Sequence, residues 1–123
     1  MSSSSEEDDN FTSKFFRHVQ NSTQQYINEL REAVSIPSVS SDLSTHLVDI
    51  IRMQKWTQDY VIKLGGTAEL YPNPKGMDED ENELPPILLA EFRAGSDAEG
   101  KKTVCCYAHL DVQVRRVYLL YMS

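Results

Sequence analysis

The residues best equipped for chemistry are a histidine and an aspartate near the C-terminal end of the chain, His109 and Asp111. They end an apolar run of strand-forming character, and in a strand residues i and i+2 point to the same face. Neutral imidazole is a common ligand for zinc and related metals. A carboxylate beside it can fix the tautomer and orientation of a metal-bound histidine. The pattern therefore indicates half of a metal site.

A strand over Thr103–Val112 is predicted to position this pair, because the run is almost wholly apolar up to His109, as in a central buried strand. The only two cysteines, Cys105 and Cys106, are adjacent within it. Adjacent cysteines build neither a disulfide framework nor a CxxC metal site. The sequence therefore predicts that both thiols are structurally buried, in a protein of a reducing compartment.

Two helices are predicted to precede the strands. The first begins at a cap formed by Thr12 or Ser13 and ends before Pro37, since the residue preceding a proline disfavours helix. The second begins at a cap formed by Asp42 or Ser44. It ends at Gly65-Gly66, because glycine adopts the left-handed cap conformation at little cost.

Two further strands are predicted over Thr67–Tyr71 and from Ile87 to Phe92. The chain thus belongs to the α/β class, with two helices followed by about three strands. Three segments are expected: residues 1–10 as a disordered serine-rich and acidic tail, 11–113 as the folded part, and 114–123 as a separate C-terminal tail.

The overall charge excludes one class of partner. The chain has 12 Lys and Arg against 19 Asp and Glu, a net charge of −7, whereas nucleic-acid binding requires clustered basic residues. No apolar run is long enough to span a membrane, and the first residues do not resemble a secretory signal. A cytoplasmic protein without nucleic-acid or membrane partners is expected.

Other candidate residues have simpler interpretations. His18 and His46 lie within the predicted helices and are expected to face solvent. Ser38, Ser40 and Ser41 are expected to serve in a loop and in capping, since no Gly-x-Ser-x-Gly elbow surrounds them. The acidic stretch 78–83 is expected to be a solvated loop, because it lacks the spacing of an EF-hand.

Four blocks of the chain, in this order, resemble the carnosine dipeptidase and cytosolic nonspecific dipeptidase group of dinuclear metallopeptidases. They are Ile36–Ser40, Leu64–Leu70, Leu84–Ala90 and Lys101–Gln113. Two positions depart from the group's usual pattern. Ala108 stands where the group has glycine before the ligand histidine, and Val114 stands where it has proline after the glutamine.

The resemblance implies the N-terminal part of an α/β/α sandwich, a partial catalytic domain over residues 11–113 and a C-terminal tail foreign to the group. It implies His109 as a metal ligand and Asp111 as the catalytic-site carboxylate that orients it. It further implies zinc or manganese, two ions in the full-length enzyme, and a short peptide as substrate. Members are homodimeric through an inserted domain that this chain does not contain.

The function implied is metal-dependent hydrolysis of dipeptides and short peptides. The group's other metal ligands and its general base follow the His-x-Asp strand, yet residues 114–123 contain no Asp, Glu, His or Cys. The chain is therefore expected to be a truncated form that lacks activity. The alternative is a non-catalytic truncated isoform or interaction fragment.

Overall fold

A computed structural model describes residues 3–93, 95 and 100–114 of the chain. Within these residues it contains three helices and a two-stranded antiparallel sheet, so the fold is mixed α/β. The elements are α1 (Ser3–Asn21), α2 (Thr23–Val34), α3 (Leu43–Lys63), β1 (Thr67–Tyr71) and β2 (Ile87–Glu91). None of the helices in this part of the chain is long and apolar enough to cross a membrane. The chain divides into two compact units, residues 1–35 and 36–123.

The first unit differs from the single helix predicted there. Helix α1 begins at Ser3, earlier than the predicted cap at Thr12 or Ser13, so residues 3–10, predicted as disordered, are helical. The helix is interrupted at Ser22, because serine and threonine bond to nearby backbone groups and weaken the helical ladder. The hydroxyl of Thr23 donates to the carbonyls of Val19 and Gln20, at 3.2 and 2.9 Å. No residue of α2 is buried.

The second unit is an antiparallel hairpin with α3 packed against both strands. Asp42 caps α3 as predicted, its carboxylate accepting from the backbone N–H of Thr45 at 3.2 Å. The helix ends at the predicted glycines, where Gly65 has a φ of +88°. At Gly66 a Cβ would lie 2.8 Å from side-chain atoms of Val61 and Phe92, so the absence of a side chain allows close packing there.

The core of this unit is small and lies between α3, the sheet and the loop before α3. Its buried apolar residues are Ile36, Val39, Ile50, Met53 and Ala68. Two glutamines of α3 bond to backbone carbonyls outside the helix, Gln54 to Pro86 and Gln58 to Ala68. These bonds connect α3 to the backbone of β1 and to the residue before β2.

The predicted third strand is not formed. Residues 101–114 have no regular secondary structure, and Val104 and Tyr107 are 83% and 87% exposed. Cys105 and Cys106 are exposed free thiols, so the prediction that they are buried is wrong. The physical reason is that a strand with two apolar faces needs neighbouring strands and covering helices. The described residues offer neither on this segment. The predicted tail at 114–123 falls outside the described residues except for Val114.

Candidate functional site

The two residues of the predicted half-site, His109 and Asp111, are adjacent in the structure, although not on a strand. The imidazole Nδ1 of His109 lies 3.3 Å from Oδ1 of Asp111. The two side chains lie on the same side of the segment, as the sequence predicted, although the strand on which that prediction was based is not formed. The His109 side chain is 75% exposed, and that of Asp111 is 31% exposed. The ring of Tyr107 packs edge-on against the imidazole, with centroids 5.2 Å apart.

The loop before α3 supplies contacts that the sequence did not predict. The hydroxyl of Ser40 donates to Oδ2 of Asp111 at 2.6 Å. The buried Ser38 donates from its hydroxyl to the carbonyl of Leu110 at 3.2 Å, and its own carbonyl accepts from the N–H of Val112 at 3.0 Å. The two serines therefore engage Asp111 and both of its chain neighbours.

The hydrogen bond from Ser40 is the main reason why the pKa of Asp111 lies below its ordinary value. Partial burial raises the pKa in opposition, and the nearby His109 lowers it further. Asp111 is consequently an ionised acceptor at neutral pH. A carboxylate that accepts from Nδ1–H holds the neutral imidazole in the tautomer with its lone pair on Nε2. Among the described residues, Nε2 of His109 has no hydrogen-bond partner.

His109 is the side chain of this site that could serve as a metal ligand. Both carboxylate oxygens of Asp111 already face other groups, Oδ2 the hydroxyl of Ser40 and Oδ1 the imidazole of His109. The described residues contain no cluster of three or more His, Cys, Asp or Glu side chains that could enclose an ion. A shallow depression beside Asp111 opens to solvent and is lined by Ser40, Ser41, Asp111, Val112, Gln113 and Val114.

The remaining candidates lie elsewhere. His46 is on α3, with Nδ1 3.4 Å from Oδ2 of Asp49, and it is half-buried rather than fully solvent-facing. His18 is exposed in the last turn of α1. In the acidic stretch, the Asp78 carboxylate accepts from the backbone N–H groups of Asp80 and Asn82, at 2.9 and 2.8 Å. That stretch is thus a loop, as predicted, but one with an ordered turn.

Ser38 and Ser40 are the residues whose roles the sequence interpretation missed. They lie more than seventy positions from their partners in the chain, and no local pattern encodes such a contact. The only signal was the block Ile36–Ser40, whose polar residues alternate with apolar ones. Ile36, Ser38 and Val39 are buried while Ser40 is exposed, so the loop is anchored in the core through these three residues and presents Ser40 outward.

Comparison with known proteins relates the chain to a defined enzyme group. It is 39% identical over 93 residues to a Cys-Gly metallodipeptidase of Candida albicans, covering 72% of this chain and 18% of that protein. It is 34% identical over 101 residues to the Cys-Gly metallodipeptidase of Schizosaccharomyces pombe, covering 81% of this chain and 20% of that protein. The human Beta-Ala-His dipeptidase is 32% identical over 103 residues, with coverages of 81% and 20%.

The chain belongs to the dipeptidase group. The resemblance seen in the sequence is therefore confirmed. No protein-family model matches the chain. The chain spans about a fifth of the length of the curated relatives it matches. The names of the metallodipeptidase relatives imply a metal cofactor for this group.

Proposed function

We propose that this dipeptidase-group chain carries part of the metal site of a peptide hydrolase, with His109 as a ligand and Asp111 as the carboxylate that orients it. One observation carries the proposal: Nδ1 of His109 faces Oδ1 of Asp111 at 3.3 Å. This arrangement directs the free lone pair of the ring to Nε2. Carboxylate partners of this kind fix ring orientation and raise the basicity of ligating histidines.

The residues fit one ligand position and its supporting carboxylate, which is less than a complete site. Catalytic zinc sites use three protein ligands as a rule, and the described residues hold no group of three. The other ligands and the general base must therefore come from residues outside those described here. A bound divalent ion would supply a water nucleophile of lowered pKa and polarise the scissile carbonyl. Zinc or manganese, as the resemblance implies, is the proposed metal.

The substrate class follows from the relatives. Their names specify Cys-Gly and Beta-Ala-His, which are both dipeptides. We propose that dipeptides and short peptides are the substrates of the complete enzyme to which this sequence corresponds. The resemblance also supports a cytoplasmic location, a homodimeric enzyme and an α/β/α sandwich as the complete fold. The chain of 123 residues is proposed to be inactive by itself.

A second candidate function is a non-catalytic interaction fragment. The observation that favours it is the exposure of the segment 101–114, which leaves Val104 and Tyr107 more than four-fifths exposed. Apolar side chains exposed in a segment without regular secondary structure are suited to contact with another chain. This function is compatible with inactivity of the isolated chain. An activity assay of that chain alone therefore does not distinguish an interaction fragment from part of a metal site.

A chimera separates them. Residues 11–113 replace the matching segment in one of the fungal relatives, and hydrolysis of Cys-Gly is measured with added manganese or zinc. We expect activity within about 10-fold of the parent enzyme, and a further loss of about 100-fold or more on His109→Ala, because a ligand is removed. The matched control is His46→Ala, which removes the other carboxylate-paired histidine and should leave activity unchanged.

An active chimera that keeps its activity after His109→Ala would contradict the assigned role. An inactive chimera that still folds and assembles like the parent would favour the interaction fragment. The isolated chain is assayed in parallel with the same metals, and no turnover above its own His109→Ala variant is expected.

A further inference from the structure

Hydrogen bonds connect the segment that carries His109 to the loop before α3. In the part of the chain that the structure describes, three hydrogen bonds connect residues 100–114 to other segments, and all three involve Ser38 or Ser40. The two bonds of Ser38 go to backbone atoms of Leu110 and Val112. Only the bond from Ser40 reaches a side chain, the carboxylate of Asp111.

The two oxygens of that carboxylate have different partners. Oδ2 accepts from the hydroxyl of Ser40 at 2.6 Å, and Oδ1 faces Nδ1 of His109 at 3.3 Å. The carboxyl torsion of an aspartate is broad and roughly two-fold, so an aspartate held at one oxygen only can rotate the other away from its partner. The short bond from Ser40 restricts that rotation and keeps Oδ1 toward the imidazole.

We propose that Ser40 is a positioning residue that sets the tautomer of His109 through Asp111. Ser40 fixes the plane of the carboxylate, the carboxylate accepts from Nδ1–H, and Nε2 is left as the atom that can bind a divalent metal. The proposal deepens the function proposed above. It rests on that function only in saying what the tautomer is for, namely metal binding at Nε2. The tautomer itself is a property of the metal-free chain.

Two neighbouring serines provide controls for this assignment. Ser41 lies next to Ser40, is exposed and lines the same depression, but forms no hydrogen bond within the described residues. Ser38 holds the backbone on both sides of Asp111 without contacting its carboxylate. Removal of the Ser40 hydroxyl should therefore change the imidazole, while removal of either other hydroxyl should not.

The experiment is nitrogen NMR of the metal-free chain with isotopically labelled histidine. The pH is kept well above the ordinary imidazole pKa of about 6.5, so that only the neutral tautomers are compared. The spectra compare wild type with four variants, Ser40→Ala, Ser40→Thr, Ser41→Ala and Ser38→Ala. The His109→Asn variant is used to assign the His109 signals. His46 serves as an internal reference, because its Nδ1 faces Asp49 independently of Ser40. The amide signal of Val112 reports whether the segment stays attached.

We expect the Nδ1 resonance of His109 to show a protonated nitrogen in wild type, Ser40→Thr, Ser41→Ala and Ser38→Ala. In Ser40→Ala it should move toward the averaged position of the exposed His18, with His46 and the Val112 amide unchanged. An unchanged His109 resonance in Ser40→Ala would overturn the proposal. So would a shift that comes with loss of the Val112 amide signal, since Ser40 would then only fasten the segment.

The outcome is independent of the chimera experiment. A tautomer shift in the metal-free chain together with a chimera insensitive to His109→Ala would keep the role of Ser40 and reject the proposed function. An unchanged tautomer in Ser40→Ala, together with a chimera that loses activity on His109→Ala, would reject the role of Ser40 and keep the proposed function.

Discussion

Two histidines of the chain lie beside a carboxylate at nearly equal distances, 3.4 Å for His46 and Asp49 and 3.3 Å for His109 and Asp111. The first pair is on α3, where both side chains are 26% exposed and Asp49 also faces Arg52 at 3.8 Å. The second pair has a 75% exposed ring and a carboxylate whose second oxygen is held by Ser40.

The difference shows that distance alone does not identify a candidate metal ligand. On α3 the carboxylate is shared between two basic side chains one turn away, as in the ion pairs that line helix surfaces. In the C-terminal segment the carboxylate accepts from a neutral hydroxyl and has one imidazole as its other partner. The exposed imidazole is then the group that remains available to a ligand. The buried residues of the second unit lie in α3, β1 and the loop before α3, whereas the candidate chemistry lies in the segment 101–114.

The largest expected effect concerns the two carboxylates. In the chimera described above, Asp111→Asn should lower kcat/KM for Cys-Gly by about 10- to 100-fold, the usual cost of losing a carboxylate behind a metal ligand. Asp49→Asn removes the same charge from the α3 pair and should change kcat/KM by less than about 2-fold. Equal losses of kcat/KM in both variants would show that the His109–Asp111 pair is no more important for activity than the His46–Asp49 pair.

A second prediction tests where the stability lies. Met53 of α3 is 5% exposed, whereas Met77 in the loop between the strands is 55% exposed. Met53→Ala should lower the free energy of unfolding by about 2–5 kcal/mol, because it leaves a cavity in a small core. Met77→Ala should leave that free energy nearly unchanged, and so should Val104→Ala in the exposed segment. Chemical denaturation monitored by circular dichroism measures all three.

The thiols of the segment provide a third test. Cys105 and Cys106 are exposed in the structure, so both should react with a colourless disulfide reagent in the native chain as fast as in the denatured chain. Protection of either thiol until the chain is unfolded would show that the segment is buried, as the sequence had predicted. Variants with serine at one position or the other identify which thiol reacts.

The smallest expected effect is a pH dependence at the start of α3. The pKa of Asp42 is lowered, chiefly because the hydroxyl of Ser44 donates to its carboxylate and secondarily through Thr45. A carboxyl whose pKa is lower in the folded state contributes stability above the unfolded pKa of about 3.9. That contribution is lost as the pH falls through the lower folded value.

Thermal unfolding of Asp42→Asn tests this contribution. The amide keeps the capping acceptor and removes the titration, so the melting temperature should fall less than that of wild type as the pH drops from about 5 to 3. Identical pH profiles for the two proteins would exclude a contribution from Asp42. Asp80→Asn, which removes a carboxylate from the exposed loop before β2, is the control.

Much of the fold followed from local signals in the sequence. The cap at Asp42, the glycines after α3 and the strands β1 and β2 were predicted because each is determined by nearby residues. The third strand was not predicted correctly, since a central strand depends on neighbours that are distant in sequence or outside the described residues. The exposure of Cys105 and Cys106 follows from the same cause.

The candidate site was predictable only in part. The approach of His109 to Asp111 was predicted from a strand that is not formed, and the resemblance gave each residue its proposed role. The participation of Ser40 depends on how the loop before α3 meets the segment 101–114, which is a tertiary contact without a sequence pattern. The break of the first helix at Ser22 was likewise missed, because three consecutive polar residues, Asn21 to Thr23, are weak helix formers rather than strict terminators.

The most direct test of the account is the metal bound by the chimera after it has been stripped with a chelator and reloaded with manganese or zinc. Metal content is measured by mass spectrometry on the reloaded protein, its His46→Ala variant and its His109→Ala variant. We expect full loading of the first two proteins and a clear metal deficit in His109→Ala. Full loading of the folded His109→Ala variant would contradict the claim that His109 is a metal ligand.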